Sequence, residues 1–433
     1  MTTEYHNIEE KWLESFPTHW KMCRLKDYTS TNTGITFTKA DLVESGNAVL
    51  SYGQIHAKNN LTTKINHELI RFIPDSFVTD KQSSKVKEGD FIFADTSEDL
   101  NGCGNCIYIN EPMDLYAGYH TIILRNKVLS CGKYFAYLFM ADQWRSQIRK
   151  RVKSVKLYSV TQGILNQTFI IVPPIEEQEL IVSYLDKECD KITKEIDLLE
   201  RKVDCYIRLR RSIINRAVTR GLNSTIQLKS SGLRWIPYIP IHWEIKRIRN
   251  FFKYRNEKVS EVDFAPLSVT KNGVIPQMES VAKSLAEGET RKKVCKYDFV
   301  VNSRSDRKGS CGTSPLDGSV SSIYIVLEPQ NISPDFANYY FRCNDWIEEF
   351  YRNGKGIVAD LWTTNYATMR NIEIAIPPIK EQQEIAIYLD EKCAKIDTII
   401  EKTKLKIERL KELKCSLIND VVTGQRTIKT SDL

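Results

Sequence analysis

The chain has 433 residues, is 42% hydrophobic and carries a formal net charge of +7, which allows more than one buried core and gives a mild bias toward polyanionic partners. No apolar run approaches the roughly 18 to 20 residues of a membrane span and the first fourteen residues are polar and charged, so the expected location is the cytoplasm. The 11 cysteines are odd in number and spread over apparent strands and helices, which argues for reduced thiols rather than a disulfide framework.

Residues 1–16 form a leading segment whose end belongs to WLESFPTHW (12–20). A first globular stretch, 17–172, follows. Its short apolar runs, such as Phe91–Phe93 and Thr121–Leu124, are bounded by Gly, Asp and Asn and predict strands mixed with one or two helices. Cations and amides gather in GQIHAKNN (53–60) and DKQSSK (80–85), giving Gln54, Lys58, Asn59, Lys81, Gln82 and Lys85 as candidates for reading base edges. GCGNC places Cys103 and Cys106 at the spacing of half a zinc site or a redox pair, but no second close pair completes it. WRSQIRKRVKSVK (144–156) contains Arg149, Lys150, Arg151 and Lys153, and no acid occurs between Asp142 and Glu176. A charge run is ordinarily a solvated face; one this long without acids points to phosphate contact.

PPIEEQELIVSYLDKECDKI (173–192) opens the next segment, 173–221, and reads as one long helix. Proline suits its first turn, Glu176 and Glu177 suit its positive end, and Gly221 stops it. Leu185, Cys189, Ile192, Ile196, Leu199, Val203, Tyr206, Arg210, Ile213 and Ala217 alternate by four and three, a seam that needs a partner helix.

After a linker, 222–239, the order repeats. WIPYIPIHW (235–243) matches the earlier opening at Trp, Pro and His-Trp, and a second globular stretch covers 240–376. In it TKNG (270–273) and RSDRKGS (304–310) supply Lys271, Asn272, Arg304, Arg307 and Lys308 as further candidates. PPIKEQQEIAIYLDEKCAKI (377–396) then opens a second helical segment, 377–424, before a tail, 425–433. Its seam, Leu389, Cys393, Ile396, Ile400, Thr403, Ile407, Leu410, Lys414, Leu417 and Val421, is in the same phase as the first, and the obvious partner is the other copy. A cation interrupts both seams at one repeat position, Arg210 and Lys414; it either snorkels or fixes the register. Each half is thus an α+β domain followed by a long helix. Outside the shared landmarks the domains barely resemble each other, so each is expected to recognise something different.

No Gly-rich phosphate loop is present, and the Pro-Pro pairs lack the Asn or Asp that precedes them in adenine methyltransferases. His19 and His242 recur in the Pro-x-His-Trp openings, where a packed, hydrogen-bonded corner is the favoured reading over catalysis. Two copies of Pro-Pro-Ile-x-Glu-Gln with a long helix, two Pro-x-His-Trp openings and the GDF of residues 89–91 resemble the specificity subunit of a type I restriction-modification system across essentially the whole chain. The second domain departs from it with YDF at 297–299, which touches only the local turn. The resemblance implies two target recognition domains, each reading one half of a bipartite asymmetric sequence in double-stranded DNA. It also implies two spacer helices packed as an antiparallel coiled coil with a pseudo-twofold repeat, which dock two methyltransferase subunits.

Restriction and translocase subunits complete such a system. S-adenosylmethionine, ATP and magnesium are then expected in the partners, with no cofactor or metal on this chain and no catalysis by it. Readings left open are a specificity subunit of a modification-only or fused methylase-nuclease system, a bivalent coiled-coil scaffold for proteins, and a zinc or redox enzyme built on Cys103 and Cys106.

Overall fold

A computed structural model describes residues 5–7, 15–127, 130–153, 156–277, 290–356 and 362–432. The chain divides into two compact units, Met1–Leu198 with Lys406–Leu433, and Leu199–Leu405. Each unit contains one globular domain and half of each long helix, so the boundary of the units does not follow the boundary of the sequence repeat.

The first unit is built on an antiparallel sheet in the order Thr29–Thr33, Thr121–Asn126, Phe91–Ala94, Cys106–Tyr108. Phe91–Ala94 is buried on both faces, which is why its sequence is continuously apolar rather than alternating. A second sheet joins Leu115–Ala117, Asn47–Leu50 and Arg71–Ile73. Helices Gly132–Met140 and Asp142–Arg149 close the main core with Tyr134, Phe139 and Trp144. Lys21–Arg24 pairs with Phe169–Val172, tying the start of the domain to its exit.

The second unit repeats this plan. Its sheet runs Phe252–Arg255, Ile325–Pro329, Phe299–Val301, Cys311–Thr313, and Glu244–Arg247 pairs with Glu373–Ile376. The strand Ile325–Pro329 begins just after a turn in which Ile323 is exposed. Helices Pro334–Tyr340 and Asn344–Arg352 cover the core. A hairpin, Leu267–Thr270 with Gly273–Pro276, turns through Lys271–Asn272, with Gly273 at φ +115° where the second strand begins.

The long helices are Ile175–Arg220 and Ile379–Val422, of 46 and 44 residues, or roughly 65 to 70 Å each at 1.5 Å per residue. In the first unit, Ile181, Leu185 and Cys189 share a core with Ile418, Val421 and Val422. In the second, Ala217 and Val218 share one with Ile385, Ala386 and Leu389. The beginning of each helix therefore packs on the end of the other, an antiparallel pairing. Of the predicted seam, Leu185, Ile196, Val203, Leu389, Ile396, Ile400 and Ile407 are buried. Ile192, Leu199 and Leu410 are half-buried, since a two-helix seam leaves a flank to water.

Gly221 and Gly424 end the helices at φ +73° and +74°, the left-handed conformation in which glycine lacks a steric penalty. A Cβ on Gly424 would also lie 2.4 Å from Pro17 Cδ.

Candidate nucleic-acid interface

The repeated motif is a clamp between each domain and its helix. In the first unit Glu177, in the first turn of the helix, receives Trp20 Nε1 at 2.9 Å and pairs with His19 Nε2 at 2.7 Å. In the second, Glu381 receives Trp243 Nε1 at 3.2 Å and pairs with His242 Nε2 at 2.7 Å. A carboxylate there also answers the positive end of the helix. The adjoining glutamines are buried and face the domain: Gln178 Nε2 donates to Pro173 O and Gln178 Oε1 accepts from Cys131 N, while Gln382 does the same with Pro377 O and Ser333 N.

The aspartates of the two Tyr-Leu-Asp segments complete it. Asp186 accepts from Tyr137 and Lys133, and Asp390 from Tyr339. His19 and His242 thus sit in hydrogen-bonded corners, and the motif fixes where each domain stands on its helix.

The seam cations bridge the helices. Arg210 Nε lies 2.9 Å from Asp397 Oδ1, and Lys414 Nζ donates to Thr193 Oγ1 at 2.8 Å. Asp397 and Thr193 occupy one repeat position, as do Arg210 and Lys414, so equivalent positions are bridged twice, once by an ion pair and once by a hydrogen bond.

Several predicted DNA-contacting residues come together in the second unit. Lys271 and Asn272 at the hairpin turn, and Lys308, line a cleft of about 780 Å³ whose other walls carry Arg210, Arg211 and Arg342. Arg342 Nη2 donates to Lys271 O at 2.9 Å and holds the turn in place; Lys308 pairs with Glu348 at 2.7 Å. Arg304 and Arg307 lie outside that lining, both against Asp306. Arg211 and Arg342 were not among the residues singled out, although the run Arg-Leu-Arg-Arg at 208–211 carried the signal.

In the first unit, Lys58, Asn59, Lys81, Gln82, Lys150 and Lys153 are exposed. Hydrogen bonds and ion pairs engage several of the candidates: Asn59 Nδ2 donates to Glu68 Oε2, Gln54 Oε1 accepts from Ser51 N, Lys85 pairs with Asp114, Arg149 with Asp142, and Arg151 Nη1 donates to Gln147 O. Exposed pairs of this kind are worth about 0 to 1 kcal/mol, and a phosphate can displace them. Arg145, from the same basic run, turns inward to Phe139 O, Asn101 O and Gly104 O, and burial lowers its pKa.

Beside Gln54 lies a polar and aromatic cluster that sequence reading missed. Tyr52 rests edge-on against Tyr119 and His120, His120 Nδ1 is 3.1 Å from Asp95 Oδ1, and His56 Nε2 is 2.8 Å from Thr96 O. His120 holds φ +57°, an uncommon conformation outside glycine that clusters at functional sites.

Cys103 and Cys106 belong to the core of the first unit. Burial raises both thiols, Cys106 to about 12, opposite to what a thiolate ligand or redox nucleophile needs. Among the described residues no group of three or more metal-ligating side chains occurs, and no helix is long and apolar enough to cross a membrane.

The family model for the type I restriction modification DNA specificity domain matches twice, over residues 17–201 and 240–409. The chain is 21% identical over 427 residues to the type I restriction enzyme StySPI specificity subunit of Salmonella potsdam, covering 95% of this chain and 90% of that one. To the EcoKI specificity subunit of Escherichia coli K12 it is 19% identical over 434 residues, with the same coverage.

Among solved structures, a chain from work on complex assembly and conformational transition of the type I R-M system superposes with a TM-score of 0.70 at 14% identity, covering 95% of this chain and 99% of that one. The HsdS subunit from Thermoanaerobacter tengcongensis gives 0.52 at 16% identity, covering 95% and 98%. With the family model matched in both halves, each time over a domain and into the helix that it clamps, this chain belongs to the type I restriction-modification DNA specificity family.

Proposed function

We propose that the chain is the DNA sequence-recognition subunit of a type I restriction-modification complex, in which each globular domain reads one half of a bipartite, asymmetric target. The observation that carries this reading is a frame built twice from the same contacts, Glu177 with Trp20 and Glu381 with Trp243, that holds two domains with unlike loops. Loops presented on a rigid scaffold are where recognition resides.

In the first domain, Gln54, Lys58, Asn59 and the neighbouring His120 surface are assigned to base reading, and Lys150, Arg151 and Lys153 to phosphate. In the second, Lys271, Asn272, Arg304, Arg307 and Lys308 are assigned to contact with DNA. The helices act as the spacer and dock methyltransferase subunits, which supply S-adenosylmethionine chemistry; ATP and magnesium belong to a restriction or translocase subunit.

Incubation of the pure chain with labelled S-adenosylmethionine and DNA tests the division of labour. No methyl transfer is expected from the chain alone, and sequence-specific adenine methylation is expected once a methyltransferase subunit is added. Transfer by the isolated chain would overturn the reading.

A further inference from the structure

The cleft in the second unit joins a recognition hairpin to a spacer helix, and its charge is unbalanced. Five cations line it, Arg210, Arg211, Lys271, Lys308 and Arg342, against two carboxylates, Glu348 and Asp397. Three of the cations are engaged by the fold: Arg210 faces Asp397, Lys308 faces Glu348, and Arg342 donates to the Lys271 carbonyl, a backbone contact that does not involve the exposed Lys271 ammonium. Arg211 is exposed and makes no hydrogen bond or ion pair among the described residues.

The lining also carries Ile207, Ile214, Ile347 and Ile400, and low-dielectric walls concentrate the field of the cations in a cleft. The lining offers base stacking a single aromatic ring, Tyr339, against five cations. A planar guanidinium beside lysines suits a phosphate, which it can bind through two parallel hydrogen bonds.

We infer that this cleft binds one phosphodiester of the target DNA, with Arg211 as its principal contact and Lys271 and Lys308 flanking it. The inference rests on the DNA-recognition reading and adds a role for the helix: the spacer itself grips the backbone. The residue at the equivalent repeat position of the second helix is Cys415, so the contact belongs to the second half-site alone. The phosphate is held by charge and hydrogen bonds, without a covalent step.

The test uses the full chain assembled with its methyltransferase subunits and a duplex carrying the target found by methylome sequencing. Binding is measured across a salt series. Each phosphate contact contributes about 0.9 to the slope of log affinity against log salt, so Arg211→Ala should lower that slope by about one. Arg211→Lys should restore most of it, and Lys404→Ala, an exposed charge elsewhere on the helices, should leave it unchanged.

Duplexes with single uncharged methylphosphonate linkages then locate the contact. One linkage beside the second half-site should weaken the wild type and have no effect on Arg211→Ala. An unchanged slope in Arg211→Ala, an equal loss in Lys404→Ala, or a relaxed half-site sequence would each overturn the inference while leaving DNA recognition intact. Absence of salt-dependent duplex binding by the wild-type complex would remove the DNA reading itself, and this inference with it.

Discussion

Gly89 and Tyr297 stand at equivalent turns, before Asp90 and Asp298, and the structure gives them φ +91° and +75°. The turn announced by GDF in the first domain is therefore kept in the second despite YDF, with a tyrosine in a conformation that costs an L-residue roughly 1 to 2 kcal/mol. Tyr297→Gly should raise the stability of the second unit by about 1 kcal/mol and Gly89→Ala should lower that of the first by a similar amount, as read by denaturant unfolding. The partner of each aspartate was not legible. Asp90 is held by Arg125 from the second strand of its sheet, and Asp298 by Arg255 from the first.

Such an exchange of donors depends on which strands become neighbours, and local pattern does not encode that. Burial outweighs Arg255 and raises the Asp298 carboxyl. Arg255→Ala would leave it unpaired, a loss of roughly 3 to 5 kcal/mol at neutral pH. A carboxyl raised above its unfolded value favours folding below the ordinary carboxylate range and disfavours it above. The variant should therefore recover part of the loss on acidification through the raised pKa, measured as unfolding free energy against pH. Thiol labelling offers an independent check: Cys205 and Cys415 are exposed and should react first, while Cys103 and Cys106 stay protected until unfolding.

At the scale of elements, the long helices were the most legible part of the chain, because forty-odd residues without Pro or Gly and a seam in constant phase leave few alternatives. The role of Arg210 and Lys414 was not settled by that pattern, since snorkelling and bridging use the same residue; the contacts to Asp397 and Thr193 decide for bridging. Glu-Gln in the motif also looked like an ordinary acidic first turn, and only the tertiary structure shows it to be the clamp on Trp20 and Trp243. Glu177→Gln and Glu381→Gln should each cost about 1 to 3 kcal/mol, the loss of charge-assisted bonds to a buried partner. Thermal melting of the purified chain measures this, with both half-site sequences expected to stay unchanged because no recognition loop is altered.

At the scale of the molecule, the duplication was written in the sequence, but the surfaces on which it acts were not. Lys271 and Lys308 lie far apart in sequence and meet Arg211 in one cleft, whereas Arg304 and Arg307, close to Lys308 in sequence, do not line it. Charge runs show that cations are present; the fold decides which converge. Under the proposed function the paired helices are a spacer between two DNA-reading domains, and their length sets the gap between half-sites.

Four residues added near the middle of the first long helix lengthen it by about 6 Å, at most nearly two base pairs at 3.4 Å each, with part of the gain absorbed by local unwinding of the seam. Methylome sequencing of a host carrying this insertion variant with its methyltransferase should return both half-sites unchanged and a gap one to two base pairs longer. Active enzyme with an unaltered gap, or with a changed half-site, would contradict the account.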